Sequence, residues 1–313
     1  MEYNPILPFR NAHFNTIYRK AFTNPVVDYS RERLITPDND FLDLDFSKVN
    51  SNKIIIIVHG LEGSSKSKYI LSNTKYFNKN GYDVCAMNMR GCSGEPNSLY
   101  SSYHSGKTDD LSLIIDEISG QYEDIYLLGY SLGGNIVLKY TGENDSALNK
   151  RIKKSIGVSV PVDLKSAAVE LAKKKNYIYN YMFMKEMKEK LRARVKRFGI
   201  DISLEIIDGI KNFNEFDNIY TSVAHGFKDA EDYWEKNSSK QFLEHIKTPA
   251  LLLNAADDTF LGENCYPFAE AKNNRFLILE VPKYGGHVGF NMSFKSKKNH
   301  WLEKRILNFI ENE

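Results

Sequence analysis

The pentapeptide Gly129-Tyr130-Ser131-Leu132-Gly133 limits what this chain can become more than any other stretch. It closes a short apolar run, Ile125-Tyr126-Leu127-Leu128, and helical spacing begins at Leu132, so the pattern reads as strand, sharp turn and helix. Small residues on either side of Ser131 permit a reversal tight enough to strain the serine backbone and leave its hydroxyl exposed. A serine held in that way is placed to attack a carbonyl. The ordinary alternative is a Gly/Ser turn that merely joins two elements. It loses weight because Gly134 allows close helix–strand packing, and because an acid and a histidine follow in the order such a serine needs.

The 42 Lys+Arg residues nearly balance 40 Asp+Glu, for a formal net charge of +2 over 313 residues. A field this weak gives no reason to expect nucleic acid as a partner. Cys85, Cys92 and Cys265 form no Cys-x-x-Cys pair, and their odd number argues against a disulfide framework, as suits a reducing compartment. Glu2, Pro5, Pro8 and Arg10 interrupt any signal-like apolar run, and the longest later run, 54–58, is far too short to span a bilayer. A soluble cytoplasmic protein without a transmembrane segment is expected, with transient contact at a membrane surface left open.

Along the chain, 1–29 is mixed polar and aromatic without a clear period and is expected to wrap over the main domain. Alternation in 31–36 and 41–45 around Pro37-Asp38-Asn39-Asp40 predicts an antiparallel hairpin at a sheet edge. The pattern then changes: Lys53-Ile54-Ile55-Ile56-Ile57-Val58-His59 has no alternation, as expected of a strand buried on both faces of a parallel sheet. Helix signals at 69–80 and 109–121 and strands at 82–89, 125–131 and 154–160 give a repeating βα order. The fold class is α/β, a mostly parallel, doubly wound sheet. From about 163 to 245 the composition turns helical, Lys-rich and aromatic, which reads as a helical cap inserted into one domain spanning 1–313. Strands at 250–255 and 276–281 and an amphipathic helix at 301–310 complete the rhythm.

A serine hydroxyl becomes a good nucleophile only when a base takes its proton, and that base must be held in one tautomer by a third group. Of seven histidines, His287 lies in Gly285-Gly286-His287-Val288-Gly289-Phe290, just after a predicted strand, where glycines let a loop carry the imidazole over the sheet edge. His13, His225, His245 and His300 read as structural, His104 as positioning a loop near the site, and His59 as supporting its own loop. The orienting acid is expected at the end of the preceding strand, where Asp257 and Asp258 offer one choice each. Adjacent side chains in such a turn point apart, so only one can serve. Charge developing on a substrate oxygen would be met by the N–H groups of Leu132, after the serine, and Leu61, in His59-Gly60-Leu61-Glu62-Gly63.

Together with His13, Thr16-Ile17, Asn88-Met89-Arg90-Gly91, Tyr103-His104-Ser105-Gly106 and Asp109-Asp110-Leu111, these motifs resemble the α/β-hydrolases. Within them they resemble the YheT-like branch, also called embryogenesis-associated esterase/lipase-like proteins. The resemblance covers most of the chain. It implies an α/β-hydrolase fold, serine esterase or acyl-transfer chemistry, and Asp258 as the acid, since the second carboxylate stands three positions beyond Ala255. Asn15 and Thr259 depart from the branch, which usually has glutamine and proline there.

The expected function is therefore hydrolysis of carboxylic esters, either short- to medium-chain acyl esters or acylglycerol-like lipids. Ser131, His287 and Asp258 would act through an acyl-enzyme. An acyltransferase with an alcohol acceptor and a non-catalytic binding protein on the same fold are the alternatives. No metal or other cofactor is implied. The dense run 177–184 within the helical insertion is expected to contribute Tyr181, Met182 and Met184 to an acyl pocket, against the plainer reading that it packs as the insertion's own core.

Overall fold

The apolar run after Lys53 forms a strand covered on both faces. In the computed structural model, which describes residues 1–144, 147–295 and 299–312, it is one of eight strands in a single sheet. These are β1 (Ser30–Ile35), β2 (Phe41–Ser47), β3 (Lys53–Val58), β4 (Asp83–Asn88), β5 (Asp124–Tyr130), β6 (Ile152–Val158), β7 (Ala250–Leu253) and β8 (Leu277–Glu280). Their order is β1-β2-β4-β3-β5-β6-β7-β8, with β2 antiparallel to both β1 and β4 and the remaining neighbours parallel.

Side-chain alternation along β3 splits the core in two. Ile55 and Ile57 pack with Val84, Leu128, Ile156 and Leu253 beneath helix Trp301–Asn312 and beside Phe77. Ile54, Ile56 and Val58 pack on the opposite face with Leu111, Ile114, Ile136 and Val137. Every one of these side chains is buried, which is why β3 reads as continuous rather than alternating. In parallel register Val58 lies beside Gly129, Gly129 beside Gly157 and Val158 beside Leu253, so the carboxyl ends of β3, β5, β6 and β7 form one edge. In open α/β sheets that edge is where ligands bind.

Six helices matter for the site: α1 (Ala12–Phe22), α2 (Lys68–Lys79), α3 (Thr108–Ser119), α4 (Leu132–Asn144), α5 (Leu164–Leu171) and α6 (Tyr177–Phe198). Short helices follow α6 up to the 3₁₀ turn Ser239–His245, and the described residues between β6 and β7 contain no strand.

The N-terminal stretch corrects one expectation, because 12–22 is a regular helix rather than a segment without period. Its inward face explains the missing signal. Asn15 and Arg19 are buried there beside Tyr18, so polar residues occupy the positions where a hydrophobic stripe would be sought. Asn15 Oδ1 accepts the N–H of Asn291 at 2.9 Å, and Arg19 pairs with the buried Glu303 of the last helix at 2.8 Å. Ser72 of α2 also donates to Glu303, at 2.9 Å.

Burial by itself would raise the Glu303 carboxyl, but the Arg19 guanidinium and nearby hydrogen bonds bring it down to about 2. A folded-state value below the ordinary carboxylate range adds stability that is complete above about pH 5 and is lost as pH falls toward the folded value. Arg19→Met leaves a buried carboxylate without its partner and is expected to cost about 3–5 kcal/mol in urea unfolding at pH 7. A change below about 0.5 kcal/mol would show the pair to be dispensable.

Candidate active site

Ser131 sits between β5 and α4 with φ +52°, a left-handed conformation that costs a non-glycine residue about 1–3 kcal/mol. Its N–H donates to Val158 O at 2.8 Å, and its carbonyl accepts from Gly134 N at 2.9 Å and Asn135 N at 3.1 Å. A Cβ on Gly133 would lie 2.3 Å from Val58 O, so α4 can start this close to β3 only with glycine there. Ser131 thus stands at the N-terminus of α4, where backbone N–H groups and the helix dipole favour negative charge.

His287 lies in a loop held from three directions and closed on itself by a fourth hydrogen bond. Its own N–H donates to Thr16 Oγ1 at 2.9 Å, Gly286 N–H to Asp257 Oδ1 at 2.8 Å, Val288 N–H to Ser159 Oγ at 2.9 Å and Phe290 N–H to Gly285 O at 3.0 Å. Val288 has φ +57° and Phe290 +47°, and a β-branched residue is seldom found there. The anchoring hydrogen bonds keep the loop in this form. The ring of Phe260 lies over the imidazole, with centroids 4.2 Å apart and planes 25° from parallel.

This loop brings His287 Nε2 within 2.9 Å of Ser131 Oγ and His287 Nδ1 within 2.9 Å of Asp258 Oδ2. Asp258 is buried, and its other oxygen accepts the N–H of Phe260 at 2.9 Å. With Nδ1–H donated to the carboxylate, the lone pair of Nε2 faces the serine hydroxyl. Of the two adjacent carboxylates only Asp258 meets the ring. Asp257 accepts Gly286 N–H on one oxygen, its other oxygen is buried without a hydrogen-bond partner among the described residues, and burial pushes its pKa upward.

The β3–α2 loop passes directly beside the serine, since a Cβ on Gly60 would lie 3.2 Å from Ser131 Cβ. Among the described residues, neither Leu61 N–H nor Leu132 N–H donates to another protein group, and both residues line the cavity above Ser131. His59 Nε2 accepts Met89 N–H at 3.1 Å, so its proton is on Nδ1, which donates to Gly60 O at 2.7 Å. This ring braces the loop, in line with its expected role. His104 Nδ1 accepts Gly106 N–H at 3.2 Å and borders the cavity, and burial holds its pKa well down.

The cavity has an empty volume of about 1070 Å³, including the part that opens to solvent. Its walls are mainly apolar, with Phe183, Met187 and Leu191 of α6 facing Leu164, Phe216 and Trp234. The acyl-pocket expectation needs correction here. Tyr181 and Met182 are exposed, and Met184 is buried against Ile207 and Tyr220 in the packing between helices. The helical period explains the shift, because residues 183, 187 and 191 share a face that 181 and 182 cannot reach. Sequence reading also missed Asp217 at the cavity wall, whose carboxyl accepts from Trp234 Nε1 at 2.8 Å and Thr221 Oγ1 at 2.7 Å and is pushed by burial up to about 6. No spacing signal marks such a residue. Thr16 was visible only as part of a motif, and Ser159 not at all.

Burial pushes the His59 imidazole down to about 4. The neutral ring is thus favoured by folding, and its contribution is complete above about pH 6.5 and lost as pH falls toward the folded value. Nitrogen-15 NMR should find His59 neutral and protonated on Nδ1 from pH 8 down to about pH 5. A ring that titrates near 6.5 or carries its proton on Nε2 would contradict the bracing arrangement.

A family profile described as alpha/beta hydrolase fold matches residues 53–290. YheT of Escherichia coli (strain K12), which carries the name of an esterase, is 29% identical over 99% of this chain and 93% of its own length. Phospholipase ABHD3 of Bos taurus is 27% identical over 99% of this chain and 78% of its own. The solved Pyrococcus furiosus esterase Pf2001 superposes with a TM-score of 0.59, covering 91% of each chain at 17% identity, a likeness of fold. The chain belongs to the α/β-hydrolase family, and along nearly its whole length it is similar to the YheT esterase and ABHD3 phospholipase relatives. Among the described residues no helix is long and apolar enough to cross a membrane.

Proposed function

We propose that this protein hydrolyses carboxylic esters through a serine acyl-enzyme, with short- to medium-chain acyl esters or acylglycerol-like lipids as substrates. The observation that carries this reading is the pair of 2.9 Å contacts linking Ser131 Oγ, His287 and Asp258 in one line. The esterase and phospholipase names of the relatives support the same substrate class.

In this mechanism His287 Nε2 takes the Ser131 proton as Oγ attacks the ester carbonyl carbon. The carbonyl oxygen gains the electron pair and is met by the N–H groups of Leu61 and Leu132. The pair returns, the carbon–oxygen bond to the alcohol breaks, and the alcohol leaves with the proton from His287. Water then attacks the acyl-enzyme by the same steps in reverse order, giving the acid and free Ser131. Asp258 stays ionised and steadies the imidazolium. The helices between β6 and β7 act as the cap, with Phe183, Met187 and Leu191 forming the acyl wall.

A fluorophosphonate should add once to the intact protein, on Ser131, and not to Ser131→Ala; labelling unchanged in that variant would disprove the nucleophile. Ser131→Ala is expected to lose about 10⁴-fold or more in rate while still folded. Asp258→Asn should lose about 10⁴-fold through the wrong imidazole tautomer, and Asp257→Asn far less. The opposite ranking would move the orienting role to Asp257. An added alcohol that captures the acyl group faster than water would convert the assignment to acyl transfer.

Acyl length provides a separate check. Each buried methylene contributes up to ~0.8 kcal/mol, so kcat/KM should rise severalfold for each pair of carbons until the cavity is full. Met187→Ala should flatten that rise, whereas Tyr181→Ala should leave it intact. A wild-type rate independent of chain length would remove the acyl role from α6.

A further inference from the structure

Glu62 immediately follows Leu61 and holds φ +53°, a conformation unfavourable for its side chain. The local hydrogen bonds account for it. Tyr103 OH accepts the Glu62 N–H at 3.0 Å and donates to Glu62 Oε1 at 2.7 Å. The second carboxylate oxygen is paired with the ammonium of Lys190, which comes from α6 on the other side of the cavity. The Glu62 side chain is 7% exposed, so this charge is neutralised in a largely desolvated place.

Lys190 is one of three cations that fasten α6 to the loop after β4. It donates to Gly91 O at 3.0 Å, Arg194 to Tyr100 O at 3.1 Å and Arg197 to Asn97 O at 2.7 Å. Arg194 and Arg197 reach backbone carbonyls of that loop, whereas Lys190 also reaches the residue that follows Leu61. The Leu61 N–H shares its peptide plane with the Gly60 carbonyl, which accepts the Gly63 N–H at 3.0 Å across the turn 60–63, so a change of backbone at Glu62 that opens this turn frees the plane that carries the Leu61 N–H.

We propose that Lys190 is a positioning residue that acts through Glu62: it sets the direction of the Leu61 N–H, and the oxyanion pocket is complete only while α6 is seated on the β3–α2 loop. This rests on the esterase reading and extends it. The helix that lines the acyl wall then also reports its own closure to the group that stabilises the transition state.

The test uses the full chain and a soluble short-chain ester, comparing wild type with Lys190→Met, Lys190→Arg, Glu62→Gln, the Lys190→Met/Glu62→Gln pair and Arg197→Met. Lys190→Met should lower kcat about 10- to 100-fold, somewhat less than outright loss of an oxyanion donor, with KM within about twofold. Affinity for a trifluoromethyl ketone, which adds to serine as a tetrahedral oxyanion, should fall by the same factor. Lys190→Arg should restore most of both, the double variant should be no worse than Lys190→Met alone, and Arg197→Met should match wild type. An unchanged kcat, a loss confined to KM, or additive losses in the double variant would overturn the proposal. If Lys190→Met does not fold, Glu62→Gln carries the test, because it keeps an acceptor for Tyr103 and removes only the charge. A wild type whose Ser131 takes no fluorophosphonate overturns the esterase reading and this inference with it; a labelled wild type with an unaffected Lys190→Met overturns the inference alone.

Discussion

The close crossing of three backbones, the end of β3, the turn after β5 and the first turn of α4, governs the geometry around Ser131. Gly133 touches the Val58 carbonyl at a separation that no side chain could share, and this contact forces the chain to reverse within one residue. The reversal places Ser131 at φ +52°. Its strain, of order 1–3 kcal/mol, persists because the hydrogen bond from Ser131 N–H to β6 and the apolar packing on both sheet faces oppose relaxation. The same crossing carries Gly60 and Leu61 past the serine, so the candidate nucleophile and the candidate oxyanion donors share one structural cause.

The histidine is held differently, by distant segments rather than by its own neighbours. Thr16 and Asn15 come from α1, Ser159 from the end of β6 and Asp257 from the end of β7, and each accepts a backbone N–H of the stretch 286–291. Two residues there keep positive φ without being glycine. A loop of this kind is only as rigid as its anchors. The buried pair Arg19–Glu303 matters to the site for that reason, since it fixes α1 against the last helix and with it the hydroxyl of Thr16.

Helix α6 has three faces with three tasks. Met184 packs against neighbouring helices, Phe183, Met187 and Leu191 border the cavity, and Tyr177, Ile178 and Tyr181 remain exposed. Three of its cations, Lys190, Arg194 and Arg197, settle on carbonyls of the loop after β4. A strongly basic helix can therefore sit against a neutral surface without net repulsion, because each buried or half-buried charge meets an oxygen.

The alternation of elements, the unpatterned strand β3, the strained serine turn and the order of serine, acid and histidine were all legible in the sequence. These features are local: periodicity records which side of an element is covered, and glycine spacing records where a backbone must turn. Periodicity does not record what covers a buried side chain. Helix α1 was missed because its inward face holds Asn15 and Arg19, whose partners at 291 and 303 lie at the other end of the chain. The residues bordering the cavity were misjudged for the same reason, since composition marked the dense aromatic run while the face that α6 turns toward the cavity selected Phe183, Met187 and Leu191. The residues alone left Asp257 and Asp258 equal, and the resemblance to a family favoured the second. Only the tertiary structure shows Asp258 turned toward the imidazole and Asp257 turned toward Gly286 N–H, because successive side chains leave a backbone in opposite directions and long-range packing decides which direction faces the ring.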